Sequence, residues 1–112
     1  MFVERCFELD GQSLPTRFNL PEKQPTGEFL ASGLIAWPDG DQPLEARGED
    51  GVQALMLVLK LAHLELTSTE AYREGRLTLW TQRDLDLPPT WGSGPLYGDP
   101  RQWATSSTPA AT

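Results

Sequence analysis

Apolar positions recur at Val52, Leu55, Met56, Leu59, Ala62 and Leu66, with His63 on the same stripe, a spacing of three and four that predicts a helix over residues 50–66. Asp50 stands where an N-cap belongs, and Gln53, three residues on, is placed as its capping-box partner. Glu49 and Asp50 put negative charge at the end of the helix where the dipole favours it. Gln53 and Lys60 define a solvent side, yet Leu57 and Leu64 sit between and beside them. A helix apolar almost all round is buried on more than one face. Burying two leucines is worth roughly 1.5–3 kcal/mol each, so a cover is expected. It is either the segment Leu85 to Trp103, which carries Leu85, Leu87, Trp91, Leu96, Tyr97 and Trp103, or a second copy or partner.

The chain before the helix has the texture of strands. Met1 to Leu9 is rich in β-formers, and Asp10-Gly11 is a hairpin turn signal. A second strand from Ser13 to Asn19 is expected to be short or edge-like, because Pro15 lacks a ladder donor. Pro21 to Gly27 reads as a polar loop. Glu28 to Trp37 is a third strand, with Phe29, Ala31, Gly33 and Ile35 on one side and Leu30, Leu34 and Ala36 on the other. After a turn at Pro38-Asp-Gly-Asp41, a short fourth strand, Leu44 to Arg47, leads into the helix. Ser68 or Thr69 is placed to cap a short turn from Glu70 to Glu74, and Gly75 to end it. Arg76 to Trp80 is a fifth strand, with Leu77 and Leu79 on one face and Thr78 and Trp80 on the other. From Asp84 to Pro100 four prolines and three glycines forbid a long regular element. The pattern predicts an α+β fold: an antiparallel β-meander of four or five strands with one long helix packed on one face. The domain is placed at 1–91, and 92–112 is read as an irregular Pro/Gly-rich C-terminal tail.

At 112 residues, 38% hydrophobic and 22% charged, the composition is that of one globular domain. The longest apolar run is far short of a membrane span, and the first residues do not form a signal peptide, so a cytoplasmic protein without membrane association is expected. The single Cys6 fits a reducing compartment. Net charge is −7, which is ordinary for solubility but uneven: Asp39, Asp41, Glu45, Glu49 and Asp50 stand against one Arg47 between residues 39 and 50. Such a patch disfavours nucleic acid and suits a basic protein partner.

Chemistry-bearing residues are few. His63 is the only histidine and has no local partner, so a partly buried structural role is expected. Cys6 reads as a buried inert thiol, and one cysteine with one histidine makes no zinc site. Asp39-Gly-Asp41 is turn chemistry, and neither it nor Asp84-Leu-Asp86 has the spacing of a calcium loop. Gly92-Ser-Gly94 lacks the flanking elements of a phosphate loop or nucleophile elbow. The four tryptophans read as core or tail anchors, or as interface hot spots. No metal, cofactor or enzymatic activity is expected.

The segment Gly48-Glu-Asp-Gly-Val-Gln-Ala-Leu55 resembles the helix start, Gly-x-Asp-Ser-Val-Gln-Ala-Leu, of a family of small bacterial proteins known only as a domain of unknown function. Gly51 stands here where the family has Ser, and Asp84-Leu-Asp-Leu-Pro88 resembles its tail signature. The resemblance covers roughly residues 1 to 91. It implies a β-meander followed by a helix and a bacterial origin, and it implies no activity.

These features lead to a protein-binding module, most concretely an immunity or antitoxin-type inhibitor of a bacterial toxin. Its expected partner-facing residues are Asp39, Asp41, Glu45, Glu49, Trp91 and Trp103. The alternative is an accessory domain that self-associates as a homodimer through helix and tail, with a small ligand-binding protein as a third class.

Overall fold

A computed structural model of the chain describes residues 1–88. These form six strands and two helices in the order β1 (Phe2–Leu9), β2 (Gln12–Asn19), β3 (Glu22–Lys23), β4 (Phe29–Trp37), β5 (Gly40–Gly48), α1 (Gly51–Thr67), α2 (Glu70–Arg73) and β6 (Leu77–Thr78). All pairings between strands are antiparallel. β5 runs along one edge of β4, β2 and the short β3 share the other, and β1 then separates β2 from β6. The fold is the α+β meander with one long helix that the hydrophobic pattern predicts.

Two tight hairpins set the register. Asp10 and Gly11 have φ of 53° and 78°, as a two-residue I′ turn requires, and they pair Leu9 with Gln12. Pro38-Asp39 closes the second hairpin and pairs Trp37 with Gly40. Alternation then sends Phe7, Leu14, Thr16, Phe18, Ala31, Ile35 and Leu44 to one face, where all are buried.

Several elements differ from the sequence reading. β2 is a central strand, not an edge. It tolerates Pro15 because its ladder to β4 covers only Thr16 to Phe18, and Pro15 lies one residue outside it. The loop after Pro21 contains β3, which pairs Glu22 with Leu30 and Lys23 with Phe29. β5 is nine residues long rather than four and carries Pro43. In a two-residue hairpin the closing pair is hydrogen-bonded, so alternate residues 41, 43, 45 and 47 turn their backbone groups to the free edge. Pro43 therefore removes a donor that β4 does not need. The fifth strand shrinks to β6, because Trp80 and Thr81 turn the chain at φ of 50° and 64°.

The helix start matches its signature with one shift. Asp50 Oδ1 accepts from the Gln53 N–H at 2.8 Å, and Gln53 Oε1 accepts from the N–H of Glu49 at 2.6 Å, one residue before the cap. A Cβ at Gly48 would lie 2.5 Å from the backbone nitrogen of Ala54, so only glycine lets β5 run this close under the first turn. Thr69 caps α2 by accepting from the Tyr72 N–H at 3.1 Å. The N–H groups of Gly75 and Arg76 close it on Tyr72 O and Ala71 O, a Schellman ending.

The buried stripe of α1 is Ala54, Val58, Ala62 and Leu66. This corrects the predicted phase: Val52 and Met56 are exposed, and Leu55 and Leu59 flank the core rather than centre it. The small residues face the sheet because α1 lies close over β4 and β5. Leu85 and Leu87 complete the core at 1% and 2% exposure. Leu57 and Leu64 remain exposed at 39% and 51%, so the start of the tail does not cover them.

Candidate functional site

The inner face of the sheet is roofed unevenly. Over β4 and β5 the roof is α1. Beside β1 the chain returns without regular structure, held by Arg5. That side chain donates to the carbonyl oxygens of Asp86 at 2.6 Å and Leu85 at 3.3 Å, and its guanidinium lies 3.4 Å from the buried Asp86 carboxylate. The Arg5 guanidinium also sits over the Trp80 ring, 5.6 Å from its centroid.

Between the two roofs a groove of about 300 Å³ opens, lined by Val3, Glu4, Arg5, Phe18, Leu55, Leu59 and Leu87. Its surroundings are apolar. Strand pairing sets Phe2 against Asn19 and Val3 against Phe18, which brings Met1 and Leu20 to the same end. Gly51 packs near Pro21, so α1 begins at this end too. Val52 and Met56 lie on the flank of the helix next to Leu55 and Leu59. Met1, Val3, Leu20, Val52 and Met56 are five of the nine large apolar residues exposed among those described. The sequence reading found the helical stripe but took it for core. It missed Val3 and Phe18, which only the register brings beside the stripe.

The expected acidic patch is not one cluster. Asp39 and Asp41 lie at the hairpin end of β5, and Glu49 and Asp50 follow its other end, roughly 25 Å away at about 3.3 Å per residue. They were expected to be adjacent because β5 was expected to be short. Asp41, Glu45 and Arg47 are exposed along the free edge, where charge and Pro43 discourage strand addition. Arg47 pairs with Glu28 at 2.9 Å. A polar cleft of about 620 Å³ beside this pair is lined by Thr26, Gly27, Glu28, Arg47, Gly48, Glu49 and Gln53. Trp91 and Trp103 lie outside the described residues.

Cys6 is exposed, which corrects its reading as a buried thiol. Phe7 takes the inward position, so Cys6 must point to the open face, beside Glu4. His63 is half-buried, with its Nδ1 shielded from water and unpaired. Burial lowers its pKa, opposed by the negative charge of Asp84. Among the described residues no three His, Cys, Asp or Glu side chains gather as metal ligands, and no helix is long and apolar enough to cross a membrane.

Residues 3–89 match the model of a family described as a domain of unknown function, DUF6968. The chain belongs to this family. The match spans every described element except the first residue of β1, and it includes the groove. No curated protein and no solved structure matches the chain. In this member the Gly48-to-Leu55 segment has a structural meaning: close approach at Gly48, cap at Asp50, buried contact at Ala54.

Proposed function

We propose that this domain is a protein-binding module, most concretely a cytoplasmic immunity or antitoxin-type inhibitor of a bacterial toxin, and not an enzyme. The observation that supports it is the groove between β1 and α1 with its exposed apolar rim. A small acidic domain that lines a groove with Val3, Leu55, Leu59 and Leu87 and exposes Val52 and Met56 on the adjoining helix flank gains by burying them on a partner. The partner this surface suits is a basic protein presenting an apolar segment. Net charge of −7, with Asp39, Asp41, Glu45 and Glu49 exposed, favours its approach.

The test is capture of the partner from the native host by the full chain, followed by binding kinetics. Val52→Glu with Met56→Glu should remove binding and leave the melting temperature within about 2 °C, because both side chains are exposed. Reversing Asp39, Asp41 and Glu45 to Lys should instead slow association, with an effect that shrinks as salt rises. Undiminished binding by the double glutamate variant would rule out the groove. A rate indifferent to both reversal and salt would rule out the electrostatic part. The alternative, self-association through the helix, draws on Leu57 and Leu64, which stand exposed two turns apart on its outer face. Loss of a dimer on Leu57→Glu with Leu64→Glu would favour it.

A further inference from the structure

We propose that the partner binds by strand addition: an extended segment with apolar and basic residues in alternation pairs with the free edge of β1 from Phe2 to Cys6. The proposal rests on the reading of the groove as a docking surface and names the mode of recognition. The hairpin at Asp10-Gly11 closes on Leu9 and Gln12, so Val3, Arg5, Phe7 and Leu9 turn their backbone groups to β2. Phe2, Glu4, Cys6 and Glu8 turn theirs to the opposite edge. β6 takes that edge at Glu8 and Leu9 alone, and just beyond them the Asp10 N–H donates to Arg76 O at 3.0 Å. In the other direction Trp80 turns the chain off the edge at φ of 50°. Among the described residues no strand pairs with β1 from Phe2 to Cys6 on this side. The free edge of β5 carries Pro43 and the exposed charges Asp41, Glu45 and Arg47. β1 has no proline, and its Phe2, Val3, Glu4 and Cys6 stand exposed. An edge left unprotected in this way is a template for another chain.

The chemistry of the occupant follows from the two faces of the edge. A strand added here lies about 4.8 Å from β1. Opposite residues of an antiparallel pair share a face. The residue opposite Val3 therefore points to the side of the groove, with its Leu55, Leu59 and Leu87, and is apolar. The residue opposite Glu4 lies on the outer face and is basic. Arg17 already holds the Glu4 carboxylate from the β2 side at 2.8 Å, so the added cation extends a row of alternating charge. A second copy suits the edge poorly. Two β1 edges paired antiparallel along Phe2 to Cys6 centre on Glu4 and set two Glu4 carboxylates opposite each other, which is destabilising.

Amide exchange in the full chain tests this, with a synthetic strand as probe. The probe is the blocked peptide Thr-Lys-Val-Lys-Val-Lys-Thr. In the free chain the Glu4 and Cys6 amides should exchange about ten-fold or more faster than those of Arg5 and Phe7, which β2 holds. Peptide at millimolar concentration should shift the Glu4 and Cys6 resonances and slow their exchange several-fold. N-methylation of the lysines, whose N–H groups face β1 in this pairing, should abolish the effect. N-methylation of the valines, whose N–H groups face away, should spare it. Glu4→Lys should weaken the peptide several-fold and leave the fold intact, because Glu4 is exposed. A peptide without effect would overturn the proposal, as would equal losses for the two methylated forms or an unchanged affinity for Glu4→Lys. Equal protection of all four amides in the free chain would overturn it too, and protection that rises with protein concentration would make a second copy the occupant. None of these measurements uses the natural partner, so their failure leaves the groove to be judged by Val52→Glu with Met56→Glu. Conversely, a captured partner that ignores those two changes leaves strand addition at β1 standing.

Discussion

The two halves of the inner sheet face are covered by different means. Over β4 and β5 the cover is a capped helix whose small residues Ala54, Val58 and Ala62 sit at 0% exposure. Beside β1 it is the irregular segment Leu85 to Pro88, tied down by one arginine. A helix brings its side chains in a fixed row and closes the space beneath it. An irregular segment closes space only where a side chain happens to fall. Leu85 and Leu87 are buried, and Leu87 is also a wall of the groove. The first half is closed by the buried stripe of α1, and the groove opens in the second.

The sharpest way to break this contrast is to put the same charge under each cover. Val58→Asp should abolish the cooperative thermal transition, at a cost of about 4 kcal/mol or more, because its carboxylate would have no water and no partner. Leu59→Asp, one residue on, lines the groove and should cost about 2 kcal/mol, since its carboxylate reaches solvent. Equal losses in urea unfolding would show that the two halves are closed alike.

The arginine clamp comes next. Arg5→Leu removes the donor to two backbone carbonyls and the ion pair with buried Asp86. A loss of about 2 kcal/mol is expected, less than for a fully buried pair because the Arg5 side chain is 26% exposed. Arg17→Leu breaks the exposed pair with Glu4 and should change stability by less than about 1 kcal/mol. If the two variants melt together, Arg5 does not hold the second cover.

The same contrast explains what was legible in the sequence. The helix, its cap at Asp50 and the turns at Asp10-Gly11 and Gly75 follow local rules, and all appear where residue spacing puts them. The phase of α1 was read too far toward Met56. A wheel weights side chains by hydrophobicity, but the closest packing against a sheet selects small ones, here Ala54 and Ala62. Pro15 was assigned to an edge because the ladder's length, which spares it, depends on β4. The groove was invisible because it needs Val3, Phe18, Leu55 and Leu87 together, and no local rule joins them. Arg5 carries no local signal, because the carbonyls it holds, those of Leu85 and Asp86, lie eighty and eighty-one positions away in the sequence.

A smaller effect sharpens the picture of the closed core. Thr16 is fully buried on β2, and its hydroxyl finds no hydrogen-bond partner. Thr16→Val keeps the shape and removes an unsatisfied group, so it should stabilise the domain by about 1 kcal/mol. Calorimetry should show a rise of a few degrees. No change or a fall would mean that the hydroxyl is satisfied in solution, for example by a buried water.

The smallest expected effect concerns His63, on the flank of α1 away from its buried stripe. Its pKa is lowered in the folded protein, first by burial and against the opposing charge of Asp84. The unfolded chain therefore takes up the proton more readily. The contribution is fully present above the unfolded value, near 6.5, and is lost as pH falls through that value toward the lower folded one. Glu4, whose pKa is lowered chiefly by its hydrogen bond from Arg17, adds loss at still lower pH. The two separate by comparison. The melting temperature of the native chain should fall between pH 7 and 5.5, and His63→Gln should flatten that part of the curve while leaving the fall below pH 4.5. If the native chain and His63→Gln keep a constant difference across the whole range, His63 titrates as it does in the unfolded chain and the flank of α1 around it is open to water.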